Sequence, residues 1–212
     1  MGGGVGVLTV LDHPLLAVHL TALRDRETGP AAFRRHLDAI GRLMAYPVLA
    51  GLPVREVGVE TPIAAARGVV LATEPVLMPI LRAGLGLVDA FCAAAPGASV
   101  SHLGLYRDDA AHRPVAYFEN FPPAWGGRPV VILDPMLATG GSLAAALGKL
   151  AQWGAQDVAV AAILAAPAGI WRIEREFPAA RLFVVAVDDA LDERDFIVPG
   201  LGDAGDRQYG TP

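Results

Sequence analysis

The chain has almost no lysine: of 17 basic residues only Lys149 is not arginine. An amine for Schiff-base chemistry is therefore nearly absent. Cysteine is equally scarce. Cys92 is alone, which excludes an intramolecular disulfide and a cysteine metal cluster. It sits in the apolar stretch Leu85 to Ala95 and reads as a small core residue. The five histidines, His13, His19, His36, His102 and His112, show no metal-ligand spacing and read as structural or surface groups. No apolar run is long enough to span a bilayer. The longest, Val158 to Trp171, is broken by Pro167 and Gly169 and reads as a buried strand plus a turn. The start MGGGVGVLTV has no positive n-region, and Gly6 stands where a myristoylation motif wants Ser or Thr, so a cytoplasmic protein without a membrane anchor is expected. A basic excess is missing too. The formal charge of −5 argues against a broad nucleic-acid-binding surface. GxxxxGK[ST] does not occur, no GxGxxG lies between the strand Val130 to Leu133 and the helix after it, and Gly84-Leu85-Gly86 is only a fragment of one.

What is present is a globular composition. Apolar residues make up 53% and charged residues 18% of 212 residues, a length that fits one domain, 1–212. Leu15 to Asp25 and Pro30 to Tyr46 read as two N-terminal helices, with Pro30 suited to a first helical position. Arg55 to Glu60 and Val69 to Leu71 read as strands of a small separate flap. An alternation then begins. Strands are expected at Val76 to Leu81, Val100 to Tyr106, Pro114 to Phe118, Val130 to Leu133, Val158 to Leu164 and Leu182 to Val187. Helices are expected at Leu85 to Ala95, Leu143 to Trp153 and Ile170 to Phe177. Near-continuous apolar strands alternating with helices predict an α/β fold with a parallel sheet flanked by helices. Ligands of such sheets lie beyond the carboxyl ends of the strands, so Arg82, Arg107 and Asp134, each following a strand, should gather on one edge. Trp125, Trp153 and Trp171 read as core or interface residues, and Asp188-Asp189 as a loop cap.

The most specific segment is Val130 to Ser142. A branched apolar strand ends in Asp134, a turn follows, and Thr139-Gly140-Gly141-Ser142 opens an amphipathic helix. Small residues at a helix N-terminus let backbone N–H groups reach an anion, and the helix dipole favours it. Asp134 can accept hydrogen bonds from sugar hydroxyls. Together they suit a ribose phosphate, although the motif class alone also admits an ordinary strand-to-helix turn.

The whole string Asp134-Pro135-Met136-Leu137-Ala138-Thr139-Gly140-Gly141-Ser142 resembles the phosphoribosyl-diphosphate (PRPP) loop of the uracil phosphoribosyltransferase family, within the type I phosphoribosyltransferases. Pro79 to Gly86 resembles that family's diphosphate loop, and Ile197 to Arg207 its uracil-binding tail. Weaker matches at His13-Pro14-Leu15, Glu27-Thr28, Phe33-Arg34 and Tyr106-Arg107 extend the resemblance from about residue 12 to residue 211. Two departures stand out: Pro47 where the family usually has Glu, and Phe196 where it usually has Tyr. The resemblance implies a type I phosphoribosyltransferase fold and an enzyme that makes UMP and diphosphate from uracil and PRPP. It implies that Ala138 to Ser142 hold the 5′-phosphate, that Asp134 orients the ribose, and that Arg82 and Arg107 hold the diphosphate. It places uracil against Ile197, Gly202, Asp203 and Ala204, with Asp203 also near PRPP or its metal, and makes Asp134, Arg82 and Asp203 the catalytic set. Mg²⁺ is the implied cofactor, carried mainly by PRPP and water and not by dedicated protein ligands. A homodimer or higher homo-oligomer is implied, with GTP an activator in some members. The polar stretch Arg107 to Arg113 is expected to close over the site as a lid. Two alternatives stay open: a phosphoribosyltransferase for another base, and an RNA-binding pyrimidine sensor on the same fold. The second should show a basic face and a doubly acidic loop, whereas this chain is acidic and has Pro135.

Overall fold

The computed structural model describes residues 8–108, 113–121 and 126–211. In chain order it has β1 (Leu8–Val10), α1 (Pro14–Arg24), α2 (Pro30–Leu49), β2 (Val54–Glu60), β3 (Ala65–Leu71), β4 (Val76–Leu81) and α3 (Leu85–Ala94). There follow β5 (Ser99–Val100), β6 (Leu103–Asp108), β7 (Arg113–Glu119), β8 (Val130–Leu133), β9 (Met136–Leu137) and α4 (Gly141–Gln152). The last elements are β10 (Val158–Ala165), α5 (Pro167–Glu176), β11 (Arg181–Val187), β12 (Ala190–Leu191), β13 (Ile197–Val198) and α6 (Ala204–Tyr209).

The main sheet runs in the order β1-β11-β10-β8-β4-β6-β7, with short β5 beside β4 and β9 beside β10. Every pairing in it is parallel except the β6–β7 hairpin. The central strands alternate between two cores over most of their length. Val131, Leu133, Ala159, Ala161 and Leu77 join α1, α2 and α3 on one face, where Phe33, Leu37, Ile40, Leu87 and Phe91 are fully buried. Val130, Ile132, Val160, Ala162 and Met78 join α4 and α5 on the other. That two-residue period is what a strand buried on both sides must show. Each such Leu, Phe or Ile contributes about 1.5–3 kcal/mol through its burial.

The predicted α/β architecture is observed, with N-terminal helices and a small two-stranded flap, β2–β3. Several bounds differ. The helix expected to end at Tyr46 continues through Pro47 to Leu49, because Met44, Ala45 and Val48 are buried and hold its last turn on the core. The strand expected over Val100 to Tyr106 is broken at Ser101-His102. Ser101 donates through its hydroxyl to the Asn120 carbonyl there, and β6 resumes as part of the hairpin. Pro167 begins α5 and not a turn; its fixed φ and missing N–H suit a first helical position. Trp171 is not a core residue: it is 60% exposed, with the Arg175 guanidinium over its ring. Trp153 does pack inward, against Phe121. Cys92 packs against the α2–α3 core. His13 accepts the Leu15 amide and caps α1, while the Nδ1 atoms of His19 and His36 meet at 2.9 Å between α1 and α2. Among the described residues no helix is long and apolar enough to cross a membrane. The N-terminal stretch 1–7, Trp125, His112 and residues 109–112 of the expected lid lie outside the described residues.

Candidate active site

In a doubly wound sheet, a ligand crevice opens where successive strands leave in opposite directions. That point is β4. The chain goes from β4 to β6 on one side, and later returns to place β8 on the other. The helix that follows β4 lies on one face of the sheet, and the helix that follows β8 on the other. Between the carboxyl ends of β4 and β8 lies a cavity of about 270 Å³. Its walls come from four segments. Ile80 to Ala83 leave β4, Leu105 comes from β6, Met136 to Leu143 run from β9 into α4 with Asp134 at the end of β8, and Asp203 and Gly205 stand at the start of α6.

The α4 wall has the form of an anion cradle. Gly140 precedes the helix at φ +76°, a left-handed conformation natural to glycine, and no side chain caps the helix. The first-turn N–H groups therefore keep their hydrogen-bonding capacity for a ligand, and no acid in that turn opposes one. Thr139 Oγ1 stands 3.5 Å from the Gly141 nitrogen, too long for a firm bond, and lines the cavity with Ser142. The residues Met136 and Leu137, expected in a turn, form the short strand β9 beside β10. This fixes the loop to the sheet.

Across the cavity, the β4 loop presents Arg82. Gly84 is packed so tightly that a Cβ there would meet the Leu133 carbonyl and Ile80. This lets the β4 loop lie against β8. Arg82 donates from Nη2 to Asp206 Oδ1 at 2.8 Å, and Asp206 also accepts the Thr211 hydroxyl at 2.8 Å. Half its side chain stays exposed. Gln208, buried, donates to the Ala83 carbonyl at 3.0 Å, so α6 is tied to this loop at two points.

Asp134, at the end of β8, lines the same cavity. Burial at the strand end pushes its carboxyl up to about 7, opposed only by a long contact from the Met136 amide at 3.5 Å. Among the described residues no basic side chain pairs with it. Asp203 caps α6 by accepting the Asp206 amide at 2.9 Å.

The segment beyond Asp203, for which no helix is expected, forms α6. The signals were present in Asp203 as N-cap and Gly210 as left-handed C-terminal residue at φ +68°. The structure brings Arg82, Asp134, Met136 to Ser142 and Asp203 to one cavity, and Pro135 lies buried within the same loop. Arg107 is the next-to-last residue of β6, near the carboxyl end of a strand of the same sheet. Ile197 and Ala204 are buried beside the α6 wall and Gly202 is exposed; none of the three lines this cavity. Two arginines fasten that segment. Arg24 makes a two-pronged pair with Asp188, at 2.7 and 2.5 Å, while Asp188 accepts the Gly200 amide and Arg24 donates to the Gly200 carbonyl. Arg24 and the Gly200 amide hold the Asp188 carboxyl below the usual carboxylate range. Asp188 thus has the structural role expected of it. Arg207 donates to the carbonyls of Leu23, Leu201 and Asp25 and stacks on Phe33.

The family model described as uracil phosphoribosyltransferase matches residues 10–211. The chain belongs to the uracil phosphoribosyltransferase family. Among curated members it is 43% identical over 208 residues to the uracil phosphoribosyltransferase of Bacillus cytotoxicus, covering 98% of this chain and 100% of that one. It is 45% identical to that of Symbiobacterium thermophilum, covering 96% and 98%. A solved structure of an Aquifex aeolicus protein superposes with a TM-score of 0.90 at 36% identity, over 96% of this chain and 98% of that one. A hypoxanthine-guanine phosphoribosyltransferase from Bacillus anthracis superposes at 0.51 with 8% identity, a likeness of fold alone. In this uracil phosphoribosyltransferase family member the anion cradle, Arg82 and Asp134 therefore sit in the type I phosphoribosyltransferase fold.

Proposed function

We propose that this protein transfers the phosphoribosyl group of PRPP to uracil, giving UMP and diphosphate. The observation that carries the reading is one cavity lined by the α4 cradle, by Arg82 and by the Asp134 carboxylate. PRPP has a monophosphate at one end, a diphosphate at the other and a dihydroxylated sugar in the middle. The family membership supplies uracil as acceptor.

In this reading Ala138 to Ser142 hold the 5′-phosphate and Asp134 accepts from the ribose hydroxyls. Arg82 leaves Asp206 for the diphosphate, joined by Arg107. The bond to the leaving group breaks with positive charge growing at the sugar C1 and negative charge on the diphosphate. Catalysis is then positioning together with stabilisation of that developing charge. Asp203, on the α6 wall, faces the same space, and Ile197 and Gly202 to Ala204 supply the fixed main chain that reads the base.

The site fits Mg²⁺ in one manner. Among the described residues there is no cluster of three metal-ligating side chains, but Asp134 and Asp203 offer hard carboxylate oxygens to the cavity. A bound Mg²⁺, carried by substrate oxygens and water with contact from these carboxylates, would neutralise charge on the diphosphate. The protein works as a homo-oligomer of identical chains. The β2–β3 flap exposes Val54, Val59, Ile63, Val69 and Val70, more apolar surface than a free two-stranded ribbon supports.

The deciding experiment incubates the protein with PRPP, Mg²⁺ and each nucleobase separately. UMP from uracil is expected. No nucleotide at saturating substrate refutes the reading, and nucleotide from a different base alone assigns the acceptor elsewhere.

A further inference from the structure

The phosphate loop has a neighbour outside the segments that form the cavity. The first turn of α5 packs directly on it. The Ala166 amide donates to the Leu137 carbonyl at 2.9 Å, and a Cβ on Gly169 would stand 2.5 Å from the Ala138 carbonyl. Arg172 lies one turn further along the same helix face. Its Cδ is 3.4 Å from where a Cβ on Gly140 would stand. Its Nη1 is 3.7 Å from the corresponding point on Gly141, and Thr139 Oγ1 is 3.6 Å from that same point. The guanidinium thus borders the two glycines whose backbone opens the cradle, beside the hydroxyl that lines it.

The other contacts of Arg172 leave this charge available. Its partner is Glu176, 3.4 Å from Nε and one turn along α5. Glu176 is more firmly engaged by Arg175, at 2.8 Å. Among the described residues the Nη nitrogens of Arg172 have no hydrogen-bond acceptor. An exposed pair at this spacing contributes little to stability, so helix support alone gives little reason for an arginine against the loop. The cradle itself offers dipoles and hydroxyls and no full positive charge. Its helix carries a base only in the last turn, at Lys149, and Arg82 lies across the cavity.

We propose that Arg172 is a phosphate-binding residue, turning its Nη groups onto the monophosphate end of the ligand held by Thr139 to Ser142. This rests on the phosphoribosyl reading of the cavity and adds a charged contact to it. A planar guanidinium matches phosphate oxygens in pairs, which a dipole cradle alone does not.

The test is calorimetric titration of wild type, Arg172→Ala, Arg172→Gln and Arg172→Lys with ribose 5-phosphate and, separately, with inorganic diphosphate. Arg172→Ala and Arg172→Gln should each weaken ribose 5-phosphate about tenfold, and Arg172→Lys, which keeps the charge and loses the paired geometry, should fall between them and wild type. Diphosphate should change by less than about twofold in all three, and the ribose 5-phosphate effect should shrink with added salt. With complete substrates, the KM for PRPP should rise and that for uracil should not. Wild-type affinity in Arg172→Ala overturns the proposal. So does a glutamine variant that binds like wild type, which would make the residue a steric prop. Equal loss of diphosphate affinity, or no ribose 5-phosphate binding by wild type, overturns it as well. If alanine prevents folding, the lysine and glutamine variants decide. The two readings separate cleanly. UMP formation with an indifferent Arg172→Ala sinks only this proposal, whereas ribose 5-phosphate binding without UMP formation sinks only the proposed reaction.

Discussion

Asp134→Asn should make the ligand-free protein more stable and less active. Burial holds the Asp134 carboxyl near 7 in place of its ordinary 3.8. Each decade of proton affinity is worth about 1.4 kcal/mol, so the fold disfavours the ionised form by about 4 kcal/mol at most. The sign follows from proton counting. Between pH 3.8 and 7 the folded protein keeps a proton on this group that the unfolded chain has lost, so stability falls as pH rises through that window and levels off above it. Asparagine has nearly the same shape and cannot ionise. At pH 8 the variant should gain about 1–4 kcal/mol, the lower figure allowing for water in the open cavity, or roughly 2–16 °C in Tm. At pH 4 the two proteins should be nearly equal. Urea titrations at pH 4, 6 and 8 measure the difference directly.

The same carboxylate carries the functional role. If the ionised form receives the ribose hydroxyls and any metal, PRPP binding must expel the proton. Affinity for PRPP should then rise with pH up to about 7 and flatten above it. Calorimetry in buffers of different ionisation enthalpy should show proton release at pH 6.5 that is absent in Asp134→Asn, and the variant should bind PRPP more weakly at pH 8. A variant no more stable than wild type at pH 8, with the same pH profile, would refute the reasoning.

Three further outcomes are expected. Arg82→Ala removes a charge-assisted contact to the leaving group, so kcat/KM should fall on the order of a hundredfold or more; a folded variant with the wild-type rate removes Arg82 from the site. Arg24→Ala strands the buried Asp188 carboxylate and frees Gly200. It should cost about 3 kcal/mol in urea unfolding at pH 7; a change below about 1 kcal/mol would show that the network carries little. Cytosine presents a donor and a bare acceptor where uracil presents an acceptor and a donor. If main-chain groups read the base, discrimination should be on the order of a hundredfold to ten-thousandfold, and competing-substrate rates within tenfold would place the readout on movable side chains such as Asp203.

The parts of this molecule legible in its sequence are those that local chemistry dictates. The strands β4, β8, β10 and β11 announce themselves as branched apolar runs, and α4 by its small-residue start and apolar face. Their order alone predicts that Arg82 and Asp134 share an edge, and one cavity does contain both. The elements missed are short or stabilised from a distance. β1 has three residues and exists by pairing with β11, on the far side of most of the chain. β9 has two residues and depends on β10 in the same way. α6 is too brief to show a helical period, and only its caps marked it.

The site divides along the same line. The cradle and Arg82 are encoded beside the strands that position them. The shape of the tail is not encoded in the tail. It depends on partners elsewhere: Arg24 of α1 holds Gly200, and Arg207 and Gln208 of the tail find theirs in α1, α2 and the β4 loop. None of these pairings has a period or spacing that a linear reading can find, because each partner is an ordinary arginine, glutamine or carbonyl until the fold brings it close. One consequence bears on the chemistry. Arg82 and Asp203 belong to different segments, yet Asp206 bonds to Arg82 through its side chain and to Asp203 through its amide. Drawing Arg82 onto a diphosphate must break the first of these bonds. In the proposed reading the diphosphate end of PRPP is therefore linked through Asp206 to the α6 wall.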